Sequence, residues 1–437
     1  MKSPPLSAHF ASRQPSVIRI SQIEFAQRGD DTRALNVAIG NVSLPMHPAM
    51  IERLKAVTAP ASPFSAGVVA YTSTVGLDEA NRAFLNIIAS SGFDSSQLFC
   101  QITDGGSQAM ELCVVGLCGP AGSTERPLLL IDAAYTNYLA FAERLGRATV
   151  SVCRTLGDDG KFSLPEISEI EQVILDTKPG AMVVIPYDNP TGHFYDQGTL
   201  IELAKLCTRH DLWMISDEAY RELCYASDEV SSVWGVTDAA VPGIEGRRIS
   251  IETASKIWNA CGLRIGGLVT DSAELHDKAV AENTASLCPN AIGQYVIGAL
   301  AQESHEDLRR WYADLRRYYQ KMLVSFTAEL RELVPGIIVS SPDASIYSVV
   351  DVRNVAKPSF DAMDFVHFCA SRGAVPIDGT PTTLLTAPMA GFYRPDARGN
   401  NPGRTQMRIA YVLPPDQMAL VPRLFAELYR QYEAERA

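Results

Sequence analysis

From about residue 98 to residue 270 the chain repeats one pattern: a short apolar run, a loop, then a helical stretch. No other feature narrows the possible folds as much. The runs fall at 98–103, 127–131, 149–153, 181–185, 212–216, 249–251 and 265–270, and helical stretches such as 107–118 and 199–209 separate several of them. Strands that are apolar almost throughout, rather than at every second residue, are buried on both faces. Alternated with helices, they predict an α/β unit with a mainly parallel sheet covered by helices. Such sheets bind ligands in the loops beyond the carboxyl ends of their strands.

The flanks read differently. Residues 1–74 are proline-broken, with a helix candidate at 17–29 (Ile18, Ile20, Ile23, Phe25) and a short strand at 34–40. Gly76 precedes an amphipathic helix carrying Leu77, Ala80, Phe84 and Ile87. A long helical region at 291–333, with Leu308, Trp311, Leu315, Tyr318 and Leu323 at helical spacing and room for a break, leads to strands at 337–340, 346–352 and 407–412. Helices at 359–371 and after Pro415 complete an α+β unit. The 437 residues therefore divide into a large domain at 75–310 and a smaller one made of 1–74 with 311–437.

A net charge of −12 argues against nucleic-acid or anionic-membrane partners, which need a basic surface. No apolar run approaches the roughly 20 residues that cross a bilayer, and the amino terminus lacks the apolar core of a secretory signal. Nine cysteines with no Cys-x-x-Cys, several of them in apolar runs, suit reduced thiols in a cytoplasmic protein. The seven scattered histidines offer no metal-ligand spacing, so no metal site is expected.

Several residues stand out against this background. Lys256 sits between two β-favouring runs, flanked by Ser255, Ile257 and Trp258, whereas lysines on solvated faces come with other charges at helical spacing. Desolvation would lower its pKa and free its amine as a nucleophile; a lysine snorkelling from the end of a buried strand explains the same residues equally well. Asp217 ends a strand run with Tyr220 three residues on, the place of a buried carboxylate or of a helix cap. Asn189-Pro190-Thr191-Gly192 is a strong turn. Asp104-Gly105-Gly106 opens a helix whose amides could face an anion, although it is not the dinucleotide fingerprint. Arg408, inside the apolar 405–412 run, needs a partner, either a substrate carboxylate or a structural ion pair. Gly40 reads as a strand-end turn or a point of close backbone approach to a ligand. Tyr71 fits a tyrosine packed at an element boundary.

Ser255-Lys256-Ile257-Trp258, followed by Gly262-Leu263-Arg264-Ile265-Gly266, resembles the lysine motif of the fold-type I, class I/II aminotransferases. The remaining motifs resemble that family in their order from about Gly40 to Val412, and look nearest to its aspartate-type members. The resemblance implies the aspartate aminotransferase fold: a seven-stranded, mainly parallel sheet with helices, plus a smaller α+β domain. It implies pyridoxal 5'-phosphate (PLP) as cofactor, held as a Schiff base on Lys256. Asp217 would keep the pyridine nitrogen protonated, and Tyr220 and Asn189 would hydrogen-bond the ring oxygen. Gly106, Ser107, Gln108, Thr253 and Arg264 would cup the phosphate, and Tyr135 would stack on the ring, although the family usually has proline where Ala133 stands. Tyr71 would reach the phosphate of a neighbouring subunit, making a homodimer. Gly40 and Asn189 would border the substrate, and Arg408 would take its α-carboxylate.

The resemblance further implies ping-pong transfer of an amino group, with aspartate and 2-oxoglutarate as the first choice of amino acid and 2-oxo acid. A second cation for a distal carboxylate is expected, with Arg13, Arg19, Arg28 and Arg394 as candidates. A β-lyase would keep every residue named. An amino-acid-sensing module would want a basic DNA-binding domain ahead of the cofactor domain, for which residues 1–75 are too short.

Overall fold

The computed structural model describes residues 4–436; the first three residues of the amino-terminal stretch and Ala437 lie outside the described residues. The described chain divides into two compact units, one of residues 41–324 and 340–348, the other of residues 4–40, 325–339 and 349–436.

The larger unit is built on seven strands: β1 (Phe99–Thr103), β2 (Leu128–Asp132), β3 (Thr149–Cys153), β4 (Ala181–Val184), β5 (Trp213–Asp217), β6 (Arg248–Thr253) and β7 (Gly266–Thr270). In the sheet they run β1-β7-β6-β5-β4-β2-β3. Only β7 is antiparallel to its neighbours β1 and β6. Each coincides with an apolar run to within a residue or two, because burial on both faces leaves little choice of residue type. β2, β4, β6 and β7 are buried at every position. On one face the helices Gly105–Leu117 and Thr136–Arg144 pack Met110, Val114, Leu117, Tyr138 and Phe141 over Leu128, Val183, Ile215 and Ile249. Each such side chain contributes roughly 1.5–3 kcal/mol on burial. The carboxyl ends of β1 to β6 and the amino end of β7 lie along one edge, as the pairing of Gly266 with both Thr103 and Thr253 requires.

The smaller unit holds a three-stranded sheet (Arg33–Asn36, Thr380–Leu385, Val375–Ile377) and most of a four-stranded one ordered Ile338–Val339, Tyr347–Asp351, Gln406–Ala410, Ala387–Pro388, of which Tyr347 and Ser348 are assigned to the larger unit. The Val375–Ile377/Thr380–Leu385 hairpin is missing from the sequence reading. Its Asp378-Gly379 turn, with both residues at positive φ, is a recognised hairpin signal. Pro376 and Pro381 break the runs on either side and hide it.

The unit boundaries correct the expected ones at 74/75 and 310/311. Residues 41–74 belong to the larger unit: helix Pro48–Lys55 buries Met50 and pairs Arg53 with Glu79 at 2.8 Å, while Asn259 Nδ2 donates to the Pro45 carbonyl. The long helix His305–Leu333 carries no break at 310, and the Trp311 indole donates to the Ile257 carbonyl at 2.7 Å. The break expected in that region falls earlier, between Ala291–Gly298, the 3-10 turn Ala299–Gln302 and this helix. Residues 340–348 return to the larger unit, where Ala344 N donates to Gly192 O and Ser341 N to Gly160 O.

Candidate active site

Along the sheet edge predicted residues lie at or beyond the carboxyl ends of β1, β2, β4, β5 and β6, and Arg264 lies just before β7; β3 carries none. Asp217 is the last residue of β5, half-buried, and its Oδ1 accepts from the Ala219 amide at 3.1 Å. Its Oδ2 accepts a 2.5 Å bond from the Tyr138 hydroxyl. Removal from water pushes the Asp217 carboxyl above the usual carboxylate range, against the pull of the Tyr138 and Ala219 bonds and the Lys256 charge. The protein alone therefore leaves this carboxylate short of positive charge.

Lys256, also half-buried, lies in a tight loop after β6. Asn259 N donates to the Lys256 carbonyl, and Ala260 N to the Ala254 carbonyl at 3.0 Å. Outside the loop, Trp258 stacks on Trp311 at 6.3 Å. The Trp311 bond to the Ile257 carbonyl holds the backbone one residue past the lysine.

The two predicted donors to a ring oxygen converge. Asn189 Nδ2 lies 3.5 Å from the Tyr220 hydroxyl. That hydroxyl shares a 2.9 Å hydrogen bond with the hydroxyl of Tyr347, a residue the sequence reading had not singled out.

At the other end, helix Gly105–Leu117 starts directly off β1. Gly105 has φ +69°, and a Cβ there would lie 2.6 Å from an Arg264 guanidinium nitrogen, so Arg264 lies across the start of the helix. A Cβ on Gly266 would meet the Gly105 carbonyl carbon at 2.5 Å, which is how β7 comes so close to the helix amino end. The Arg264 side chain is exposed and donates to the Cys261 carbonyl at 3.0 Å. Gly106 backs onto Ile251 and Thr253 of β6, and Thr253 Oγ1 donates to Ser255 Oγ at 2.8 Å. The Gln108 side chain turns back on its own helix start, accepting from the Asp104 amide at 2.8 Å, and donates to Asn283 at 2.9 Å.

Tyr135 and Tyr138 meet edge to face at 5.5 Å. Helical phase puts the buried Tyr138, three residues on, against Asp217, and leaves Tyr135 half-buried at the helix start. Asp217 stands out in the sequence; Tyr138, 79 residues away from it, does not. Below the site a buried charge group ties β5 to β6. Arg221 donates to Glu252 at 2.5 Å and lies 3.5 Å from Glu218, and Ser250 and Ser232 donate to the same two carboxylates. Tyr71 stands 79% exposed.

In the smaller unit Gly40 and Arg408 are both buried. Segment 37–40 runs beside strand Gln406–Ala410: Ala410 N donates to Val37 O and Arg408 Nη2 to Ala38 O at 2.7 Å. The Arg408 guanidinium lies 5.1 Å over the Phe392 ring.

The sequence profile of the family described as "Aminotransferase class I and II" matches residues 35–394, most of the chain. The chain belongs to this family. It is a PLP-dependent aminotransferase. An aspartate aminotransferase of Musicola paradisiaca is 24% identical over 333 residues, 73% of this chain and 75% of that one. An arginine–pyruvate transaminase of Pseudomonas aeruginosa is 26% identical over 226 residues, 52% of this chain and 54% of that one. Among solved structures, N-succinyldiaminopimelate aminotransferase from Mycobacterium tuberculosis superposes with a TM-score of 0.79 at 20% identity, covering 97% of this chain and all (100%) of that one. The shared fold is that of the aspartate aminotransferases.

The donors of this aminotransferase suit its cofactor. A helix amino end with Arg264 and the Thr253 and Ser255 hydroxyls can hold a phosphate. Asp217, pushed up by burial, has a use for the positive charge of a pyridinium nitrogen. Among the described residues no helix is long and apolar enough to cross a membrane.

Proposed function

We propose that this aminotransferase moves the amino group of an acidic L-amino acid, aspartate first, to a 2-oxo acid such as 2-oxoglutarate, with Lys256 as the residue that moves the proton. The convergence of Asn189 and Tyr220 in the same unit as a half-buried aspartate, its carboxyl pushed up by desolvation, and a half-buried lysine carries this reading. Bound PLP supplies an electron-withdrawing ring that stabilises a carbanion at the substrate α-carbon. Asp217 holds the ring nitrogen's proton, and Tyr138 holds Asp217 in place. Asn189 and Tyr220 donate to the ring oxygen. Gly106, Ser107 and Gln108 offer backbone amides, Thr253 a hydroxyl and Arg264 a cation to the phosphate, and Tyr135 stacks on the ring. Lys256 Nζ would hold the cofactor and would serve as the general base that takes the substrate's α-proton, a role that needs the amine unprotonated. The planar Arg408 fork grips the α-carboxylate and so orients the α C–H bond, with Gly40 and Asn189 bordering the substrate.

For a distal carboxylate, Arg28 drops out of the four candidate cations. Its guanidinium is engaged by Asp30 at 2.7 Å and by the carbonyls of Cys369, Arg372 and Gly373. We place the enzyme in the cytoplasm as a homodimer, with the exposed Tyr71 reaching the partner's phosphate. A single-turnover donor screen tests the reading: each amino acid is added to the yellow holoenzyme without acceptor, and aspartate and glutamate should bleach it fastest. If no amino acid bleaches the colour, transamination is wrong. Ammonia released with no 2-oxo acid present points to β-elimination. Borohydride reduction should fix the label on Lys256.

A further inference from the structure

Arg154 follows β3, is 1% exposed at its side chain, and belongs to no motif singled out above. Its buried guanidinium grips two loops at once. On one side Nη2 donates to the carbonyls of Ile131, at 3.0 Å, and Ala133, while its backbone amide donates to Asp132 O at 2.6 Å. That loop leads into the helix carrying Tyr135 and Tyr138. On the other side Nη1 pairs with Asp188 Oδ2 at 2.8 Å and reaches the Thr191 hydroxyl at 3.4 Å. The second Asp188 oxygen closes the turn around Asn189, accepting from the Thr191 amide at 3.1 Å and from its hydroxyl at 2.5 Å.

A small void lined by Leu130, Ala134, Tyr138, Val183, Asp188 and Tyr195 lies beside this bridge. The bridge that Arg154 makes is polar. Five donors in a rigid planar fork can serve backbone carbonyls and a carboxylate together; an ammonium on a flexible stem cannot span both.

We propose that Arg154 is a positioning residue of the cofactor site: its guanidinium sets the Asn189 turn against the loop bearing Tyr135 and Tyr138, so that groups from both loops register on one ring. Being buried, it touches neither substrate nor cofactor. The proposal rests on the site roles assigned under the proposed function.

The test titrates apo-protein with PLP, by quenching of tryptophan fluorescence, and follows the pH midpoint of the visible band of the holoenzyme. The double variant R154M/D188N removes both buried charges, and the amide oxygen that replaces the Asp188 carboxylate still accepts from Thr191, so each loop stays whole but uncoupled. R154K keeps the charge beside Asp188 without the fork. Both should melt cooperatively as apo-proteins, bind PLP at least about tenfold more weakly than wild type, and show a displaced midpoint because Asn189 no longer meets the ring oxygen. Cooperative melting with PLP affinity within about twofold of wild type and an unmoved midpoint overturns the proposal. So does loss of folding in both variants, which makes Arg154 a folding residue. If the double variant alone fails to fold, R154K decides. Wild type that does not bind PLP sinks the underlying site assignment instead, and is read separately in the same titration.

Discussion

Gly105→Ala isolates the cation in the phosphate cup. The substitution does two things. It places a side chain at φ +69°, which costs about 1–2 kcal/mol, and it puts a Cβ 2.6 Å from an Arg264 guanidinium nitrogen. The obstructing atom is the far end of an exposed, flexible side chain, so the fold absorbs the collision by moving Arg264 aside. The apo melting temperature should fall by only about 1–2 °C. Cofactor binding should suffer more, because a charge-assisted bond to phosphate is worth about 1.5–3 kcal/mol. At 1.4 kcal/mol per tenfold, the PLP dissociation constant rises about 10- to 150-fold. Gly122→Ala is the control, since Gly122 has φ +80° with nothing within 4 Å of the added Cβ. It should share the small loss in melting temperature and leave PLP affinity alone. Arg264→Ala should match the affinity loss of Gly105→Ala, and the double variant should bind no worse than Arg264→Ala, because both changes remove one contact. Additive losses, or a Gly122→Ala enzyme that also loses PLP, would refute the reasoning.

Tyr138→Phe keeps the buried ring and removes the hydroxyl that holds the Asp217 carboxyl down. The loss of a bond to a charged group, about 1.5–3 kcal/mol, should weaken PLP binding and move the acid limb of the kcat/KM profile to higher pH; an unmoved limb counts against Asp217 as the ring partner. Arg408→Lys replaces the fork by a point charge and should lower kcat/KM about 10- to 150-fold, mostly through KM, in steady-state assays with aspartate; an unchanged KM removes Arg408 from the carboxylate site. Burial and the Arg154 charge lower the His193 imidazole to about 3, from an ordinary 6.5. Between those values the unfolded chain binds a proton that the folded one does not, so stability falls as pH drops below 6.5. Urea unfolding of His193→Gln apo-protein should show a slope shallower by up to about 1.4 kcal/mol per pH unit, and an unchanged slope shows that His193 titrates normally.

Local pattern determined a good deal here. Burial on both faces restricts residue type, so all seven strands of the large sheet could be read from apolar runs. Parallel strands in turn put Thr253, Asp217 and the Asn189 turn at one edge. Tertiary structure decided what depends on partners far along the chain. It decided that Tyr138 rather than Tyr135 meets Asp217, that Tyr347 joins the hydroxyl of Tyr220, and that the Gln108 side chain caps its own helix. It drew residues 41–74 and 340–348 into the larger unit, and gave Arg154, which no local motif marks, a hold on two loops at once. Periodicity records how deeply each residue is buried, a property its neighbours share. It does not record which distant group the residue will face, because that is set only when the strands and helices pack together.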